Sequence, residues 1–305
     1  MDWGIHLPHL GRRIDRATFT EFAQEAERLG AHSVWASDHI CWPQNIASKY
    51  PYSADGSFGP DTDMGWLDAL STLSFAAAVT ERVKLGTSVL ILPYRNPVQT
   101  AKQLASIDVL SGGRMLLGAG VGWMAEEAAV LDMPWDRRGK RSDEQLEIFR
   151  RLFEEDIPSF EGEFYDFEPV GFEPKPIQSP FPIWIGGSSP AAFRRAAKFG
   201  QGFHAAFQPI DVVAEEWAAV RREAEALGRD PDDLTLSLRV FLDPGGMMPP
   251  EHSVAGSKDA MLETIARLKG IGVSHILLDP VSRGGVAARL DAVRQFMTDV
   301  APAAD

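Results

Sequence analysis

Eight short apolar segments alternate with stretches of helical spacing, and this alternation constrains the chain more than any other feature. The segments are Trp3 to Leu7, Ser33 to Ala36, Val83 to Leu92, Arg114 to Leu117, Ile183 to Ile185, Gly202 to Ala205, Leu234 to Phe241 and His275 to Leu278. Each predicts a short buried strand. The first intervening stretch, Thr18 to Leu29, carries apolar residues at Phe19, Phe22, Ala23, Ala26 and Leu29, which is one face of a helix. Further helices are predicted over Trp66 to Thr80, from Asn96-Pro97 to Ser111, and over Met124 to Leu131 and Lys140 to Glu155. Others are predicted from Pro190 to Phe199 and over Ile210 to Leu227, Ser257 to Lys269 and Val286 to Val300. Strands alternating with helices build a parallel sheet, and eight strands close a barrel. An open doubly wound sheet is the alternative, and the strand count favours the barrel. The reading is an α/β chain forming a single (β/α)8 TIM barrel over residues 1–305, with insertion segments at the C-terminal face. Those segments are the long loop Cys41 to Gly65 and a hairpin within Phe160 to Pro176.

Composition narrows the partners. Barrels of 305 residues routinely form one unit, and 45% hydrophobic residues can fill a large core. A net charge of -13 makes the surface repel phosphate backbones, so nucleic acid is not expected. Cys41 is the sole cysteine, which excludes an intrachain disulfide and fits a reducing compartment. No base sits at a helpful sequence position to make Cys41 a nucleophile, so a passive thiol is expected. The N-terminus does not read as a signal peptide and no apolar run suffices to cross a bilayer. A cytoplasmic protein without membrane contact is expected.

In a barrel the active face lies at the C-terminal ends of the strands. That rule nominates His6, Ser37-Asp38-His39, Ser88-Val89-Leu90, Gly120, Gly122, Trp123, Gly186 to Ser189, His204 and Asp279. In Gly186-Gly187-Ser188-Ser189-Pro190, between a strand and a helix, bare backbone, hydroxyls and a helix N-terminus suit a phosphate. An ordinary turn with a serine cap is the simpler reading. Gly118-Ala119-Gly120-Val121-Gly122 lacks a dinucleotide-binding context and reads as backbone making room for a planar ligand. His39 can move a proton or bond a ring carbonyl, with Asp38 beside it; a capping pair at a strand end is the bland alternative. His6, His9, His39, His204 and Asp279 superficially resemble a metal set. The spacing of His6 and His9 around Pro8 does not put both on one face, so no metal is expected.

At these residues the chain resembles the bacterial luciferase-like superfamily, and within it the coenzyme F420-dependent oxidoreductases. The matching stretches are Val34 to His39, Leu85 to Leu90, Asn96-Pro97 through Leu110 to Arg114, and Gly118 to Gly122. Arg138, Arg141, Asp143 and Glu144 match as well, as does Pro182 to Ser188. The resemblance implies F420 as cofactor, with flavin mononucleotide (FMN) as the alternative on the same scaffold. It implies that Asp38 and His39 are catalytic and lie beside the ring system, with His39 as proton donor or ring anchor. It implies a non-proline cis peptide at Ser88-Val89 behind the ring. Gly120, Val121 and Gly122 would pass close to the cofactor, and Gly186, Gly187 and Ser188 would hold its phosphate. His6, Trp42, Trp123 and His204 are expected to line the substrate pocket. The family's sugar-phosphate dehydrogenases carry Glu where Trp123 stands, so a small apolar or aromatic substrate is expected. The activity implied is hydride transfer between deazaflavin and substrate, or a flavin monooxygenase reaction in the alternative. A homodimer is also implied.

Overall fold

A computed structural model describes residues 1–11, 14–53, 55–59 and 64–304. Eight parallel strands close into a barrel: β1 (Asp2–His6), β2 (Ser33–Ala36), β3 (Lys84–Thr87), β4 (Met115–Gly120), β5 (Ile183–Gly186), β6 (Gly202–Ala206), β7 (Thr235–Asp243) and β8 (Val273–Pro280). Every sequential neighbour is paired, and β8 pairs with β1 to complete the cylinder. The helices are α1 (Arg16–Arg28), α2 (Ala69–Val79), α3 (Pro97–Ser111), α4 (Ala125–Val130), α5 (Arg138–Glu154), α6 (Pro190–Phe199), α7 (Ile210–Ala226), α8 (Lys258–Gly270) and α9 (Gly285–Gln295). Among the described residues, no helix is long and apolar enough to cross a membrane.

Local chemistry sets the helix ends. Asp15 caps α1 by accepting from Thr18 N at 2.9 Å. Asn96 caps α3 by accepting from Val98 N and Gln99 N, with Pro97 at the first helical position. Gly112 ends α3 at φ 73°, a left-handed conformation glycine adopts without a Cβ clash.

The strands alternate, and the alternation divides the interior in two. Val34 and Ala36 of β2 face outward into the large core between strands and helices. Trp35 faces inward and packs with Leu116, Trp184 and Leu277. Trp35 fits because β3 carries Gly86, where a Cβ would lie 2.3 Å from the indole ring.

Several boundaries differ from the sequence reading. The strand expected over Val83 to Leu92 is broken at a cis Ser88-Val89 peptide. It resumes as Leu90–Ile91, paired with β4, and runs into a 3-10 turn at Leu92–Tyr94. The helix expected from Trp66 starts at Ala69, because Gly65–Trp66 pairs with Leu10–Gly11 as a short antiparallel ribbon and Asp68 caps the helix. The hairpin in Phe160 to Pro176 is confined to Phe160–Glu161 against Asp166–Phe167. The last helix changes to π-helix at Phe296–Val300. Within the loop 41–65, residues 54 and 60–63 lie outside the described residues, as do residues 12, 13 and 305.

Candidate active site

A cavity of about 500 Å³ opens at the C-terminal ends of the strands. Its lining includes Ser88 and Val89 after β3, Gly120 at the end of β4 with Val121 and Gly122 beyond it, and Gly186 at the end of β5 with Gly187 and Ser188 beyond it. Asp38, His39, Trp123 and His204 also line it, as do Arg138 and Arg239. Loop aromatics Tyr50, Tyr52 and Phe58, with Trp66 and Phe207, make much of it apolar.

His39 is held by one strong contact. Its Nδ1 lies 2.6 Å from Glu127 Oε2, and neither side chain is more than 8% exposed. The other Glu127 oxygen accepts from Ile40 N at 2.6 Å and Cys41 N at 3.1 Å. Burial alone would raise the Glu127 carboxyl. The His39 bond and charge and the two backbone N–H groups outweigh it and hold the group below its ordinary value. An ionised carboxylate only accepts, so Nδ1 carries the hydrogen and Nε2 is the atom left to give or take a proton. Trp42, Trp66, Phe58 and Trp123 surround the imidazole, with ring centroids 4.6 to 6.0 Å away.

Glu127 was absent from the sequence reading. It follows Glu126 in the first turn of α4, where acidic residues are explained by the helix dipole alone. Glu126 itself accepts from Ala47 N and Ser48 N and ties the long loop down.

Asp38, paired with His39 in the sequence reading, faces a different partner. Arg95 grips it with two bonds of 2.5 and 2.7 Å, and Ile91 N donates to it at 2.9 Å. Burial pushes its carboxyl up, against the pull of Arg95. Both oxygens are committed to the segment after β3, so Asp38 braces the site and is not placed to trade protons with His39.

The glycines answer to Val89 as well as to any ligand. A Cβ on Gly120 would lie 2.4 Å from Val89 Cγ2, and one on Gly186 would lie 3.0 Å from Val89 Cγ1. Room for a planar ligand was the sequence reading of the Gly118 to Gly122 run. Much of that room is taken by the Val89 side chain and by Thr87 O, 1.9 Å from a Cβ on Gly118.

The cavity lining offers an anion several donors. Gly187 has φ 115°, Ser188 lines the cavity, and Ser189 caps α6 by accepting from Ala192 N at 3.3 Å. Arg138 stacks on Trp135, 3.8 Å from the ring centroid, and donates to Gly122 O at 3.4 Å. In a chain of net charge -13, this arginine and the α6 N-terminus supply the local positive potential that a phosphate-bearing cofactor requires. The residues present therefore fit a flavin-like group.

Two expected pocket residues lie elsewhere. His6 is 3% exposed and absent from the cavity lining; it bonds Ser37 Oγ at 2.7 Å. Trp42 packs against His39, Phe58 and Trp66 and does not line the cavity. His204 lines it but spends both ring nitrogens on Ser88 and Ser237, and it stacks on Trp35. Burial and the charge of Arg239 lower its pKa to about 3, so it is neutral. Among the described residues, no three His, Cys, Asp or Glu side chains are grouped to hold a metal ion.

Comparison with known proteins places this architecture. A sequence model described as luciferase-like monooxygenase matches residues 5–244. A protein of Mycobacterium tuberculosis is 36% identical over 215 residues, 70% of this chain and 74% of that protein. An F420-dependent glucose-6-phosphate dehydrogenase of Amycolatopsis mediterranei is 30% identical over 228 residues, 73% of this chain and 63% of that enzyme. An F420-dependent secondary alcohol dehydrogenase, solved with an F420-acetone adduct, superposes with a TM-score of 0.81 at 19% identity, covering 100% of this chain and 99% of that one. The closed barrel agrees with the sequence match over residues 5–244, and that match makes this chain a member of the luciferase-like monooxygenase family.

Proposed function

We propose that this protein is a coenzyme F420-dependent oxidoreductase that moves a hydride between the deazaflavin and a small apolar or aromatic substrate. The observation carrying the proposal is the buried His39–Glu127 pair beside a cavity whose lining also includes the cis Ser88-Val89 peptide, the glycines that end β4 and β5, and Arg138. When bound, the deazaflavin supplies a hydride donor or acceptor at a ring carbon. The chain supplies the rest. Ser88, Val89, Gly120, Val121 and Gly122 would bound the ring's space, while Gly186, Gly187, Ser188 and Arg138 would hold the phosphate. His39 holds or moves a proton at Nε2, and Glu127 stabilises the imidazolium that forms when it takes one. Tyr50, Tyr52, Phe58, Trp66 and Trp123 exclude water and give the substrate apolar surface. The resemblance implies that Trp123 replaces a Glu of the sugar-phosphate dehydrogenases, and the aromatic lining supports the same apolar substrate class.

The test is a titration. Purified protein is mixed separately with coenzyme F420 and with FMN, and quenching of tryptophan fluorescence is followed. Tight binding of the deazaflavin alone supports the proposal. Preference for FMN moves the assignment to a reduced-flavin monooxygenase, the reading favoured by the description of the matched family. Binding of neither overturns both. We further propose a homodimer, on the strength of the resemblance alone; a monomer by sedimentation velocity overturns that.

A further inference from the structure

A file of five buried side chains threads the barrel interior. Ser88 Oγ lies 2.9 Å from His204 Nε2, and His204 Nδ1 lies 2.8 Å from Ser237 Oγ. Ser237 Oγ lies 2.8 Å from His275 Nδ1, and His275 Nε2 lies 3.0 Å from Ser33 Oγ. None of the five residues is more than 6% exposed. Burial holds both imidazoles neutral; Arg239 lowers His204 further, and His204 lowers His275. The proton transfer proposed above uses none of them.

The hydrogens of this file can be counted. Each neutral imidazole carries one N–H and each hydroxyl one O–H, so five hydrogens serve four links. Ser237 sits between two ring nitrogens; it can accept from both, which makes both imidazoles Nδ1–H and leaves the spare hydrogen on Ser237 itself, or it can donate to one histidine and accept from the other. The second case fixes every other link and gives two fully bonded arrangements that run through the file in opposite directions. In one, the spare hydrogen is on Ser33; in the other, it is on Ser88, which lines the cavity. Both ends are anchored by donors that cannot reverse: Trp35 Nε1 to Ser33 Oγ at 2.8 Å and Arg239 Nη1 to Ser88 Oγ at 3.4 Å. Beyond Ser33 stands half-exposed His32, its ring edge-on to His275 at 5.8 Å and its buried Nδ1 without a partner.

We propose that this file is a proton relay joining the cavity to the N-terminal mouth of the barrel. Ser88 Oγ gives its hydrogen to an acceptor in the cavity and takes one from His204. His204 takes one from Ser237, Ser237 from His275, and His275 from Ser33. Ser33 is resupplied with a proton by solvent water at the N-terminal mouth, on the side of half-exposed His32, and that water loses the proton Ser33 gains. Each O–H or N–H bond broken is matched by one formed, and one proton moves across. The relay rests on the hydride-transfer reading, because two-electron reduction of a deazaflavin takes up a proton together with the hydride.

The test follows ring nitrogens by NMR in the full chain labelled with 15N-histidine. In the free protein, His204 and His275 are expected in opposite tautomers, one protonated at Nδ1 and the other at Nε2. The same tautomer at both overturns the relay. Fluorescence quenching then establishes binding of F420, and spectra are compared with the oxidised and reduced cofactor. Both histidines are expected to exchange tautomers together. Binding without that joint exchange sinks the relay and leaves the hydride reading standing. Failure of F420 to bind sinks the hydride reading, and the relay with it. Ser237→Ala, checked for folding by circular dichroism, should abolish the joint exchange and Ser237→Thr should restore it. Joint exchange persisting in Ser237→Ala also overturns the relay. The wild-type measurement decides the matter if the alanine variant does not fold.

Discussion

The imidazole of His39 is oriented by a carboxylate that itself accepts three hydrogen bonds. Glu127→Gln keeps the size and removes the charge that stabilises a protonated ring. Turnover is expected to fall on the order of 10²-fold while cofactor affinity stays within about twofold, as kcat and fluorescence titration would report. An unchanged kcat would remove Glu127 from the proton-handling pair. Asp38 is the contrasting case. Adjacent to His39 in sequence, it turns to Arg95, as neighbours on an extended chain point to opposite sides. The sequence names the histidine from its place at a strand end. Its partner lies 88 residues away on another element, and no local pattern connects the two.

Between elements, buried polar anchors carry much of the load. Arg114 is 8% exposed and donates to Ser111 O, Val83 O, Ala77 O, Thr80 O and Thr80 Oγ1, gathering carbonyls around the C-terminal ends of α2 and α3. Replacing it with Met leaves those oxygens unpaired, and urea unfolding should show a loss of about 3 kcal/mol or more. A second link joins the ends of the chain. Glu25 of α1 bonds Arg28 in its own helix and Arg294 of α9, and these bonds draw its carboxyl down from 4.5 to about 2. A folded pKa below the unfolded one stabilises above the unfolded value and is lost as pH falls. The thermal midpoint should therefore drop between pH 4.5 and about 2, and Glu25→Gln should flatten that drop in a pH series followed by circular dichroism. An equal slope in both proteins would refute the assignment. Arg114 reads in sequence as the first residue of a strand; its anchoring role exists only once two helices end beside it.

Across the whole molecule, the interior of the barrel is a fitted object. Gly86 faces the indole of Trp35, and an added Cβ would sit 2.3 to 2.6 Å from three ring carbons with no flexible atom to yield. Gly86→Ala should cost about 3 kcal/mol or leave the protein insoluble, measured by urea unfolding against the wild type; a change under about 0.5 kcal/mol would contradict this packing. The order of the eight strands and the placing of a cavity at their C-terminal ends were legible in sequence, because periodicity and chain order are local properties that survive into the fold. Gly120 to Gly122 and Gly186 to Ser188 were readable for the same reason, because strand ends are marked by their own residues, whereas the break at Ser88-Val89 lies inside the strand expected over Val83 to Leu92 and was implied only by the family resemblance. The tertiary structure alone decided which side chains meet. Barrel closure brings Glu127 to His39, Arg95 to Asp38, and Ser88 to His204 across 116 residues of sequence, and it carries His6 and Trp42 out of the cavity lining. Strand register and helix tilt set these distances. They are solved by the packing of the whole chain, so no single stretch of it records them.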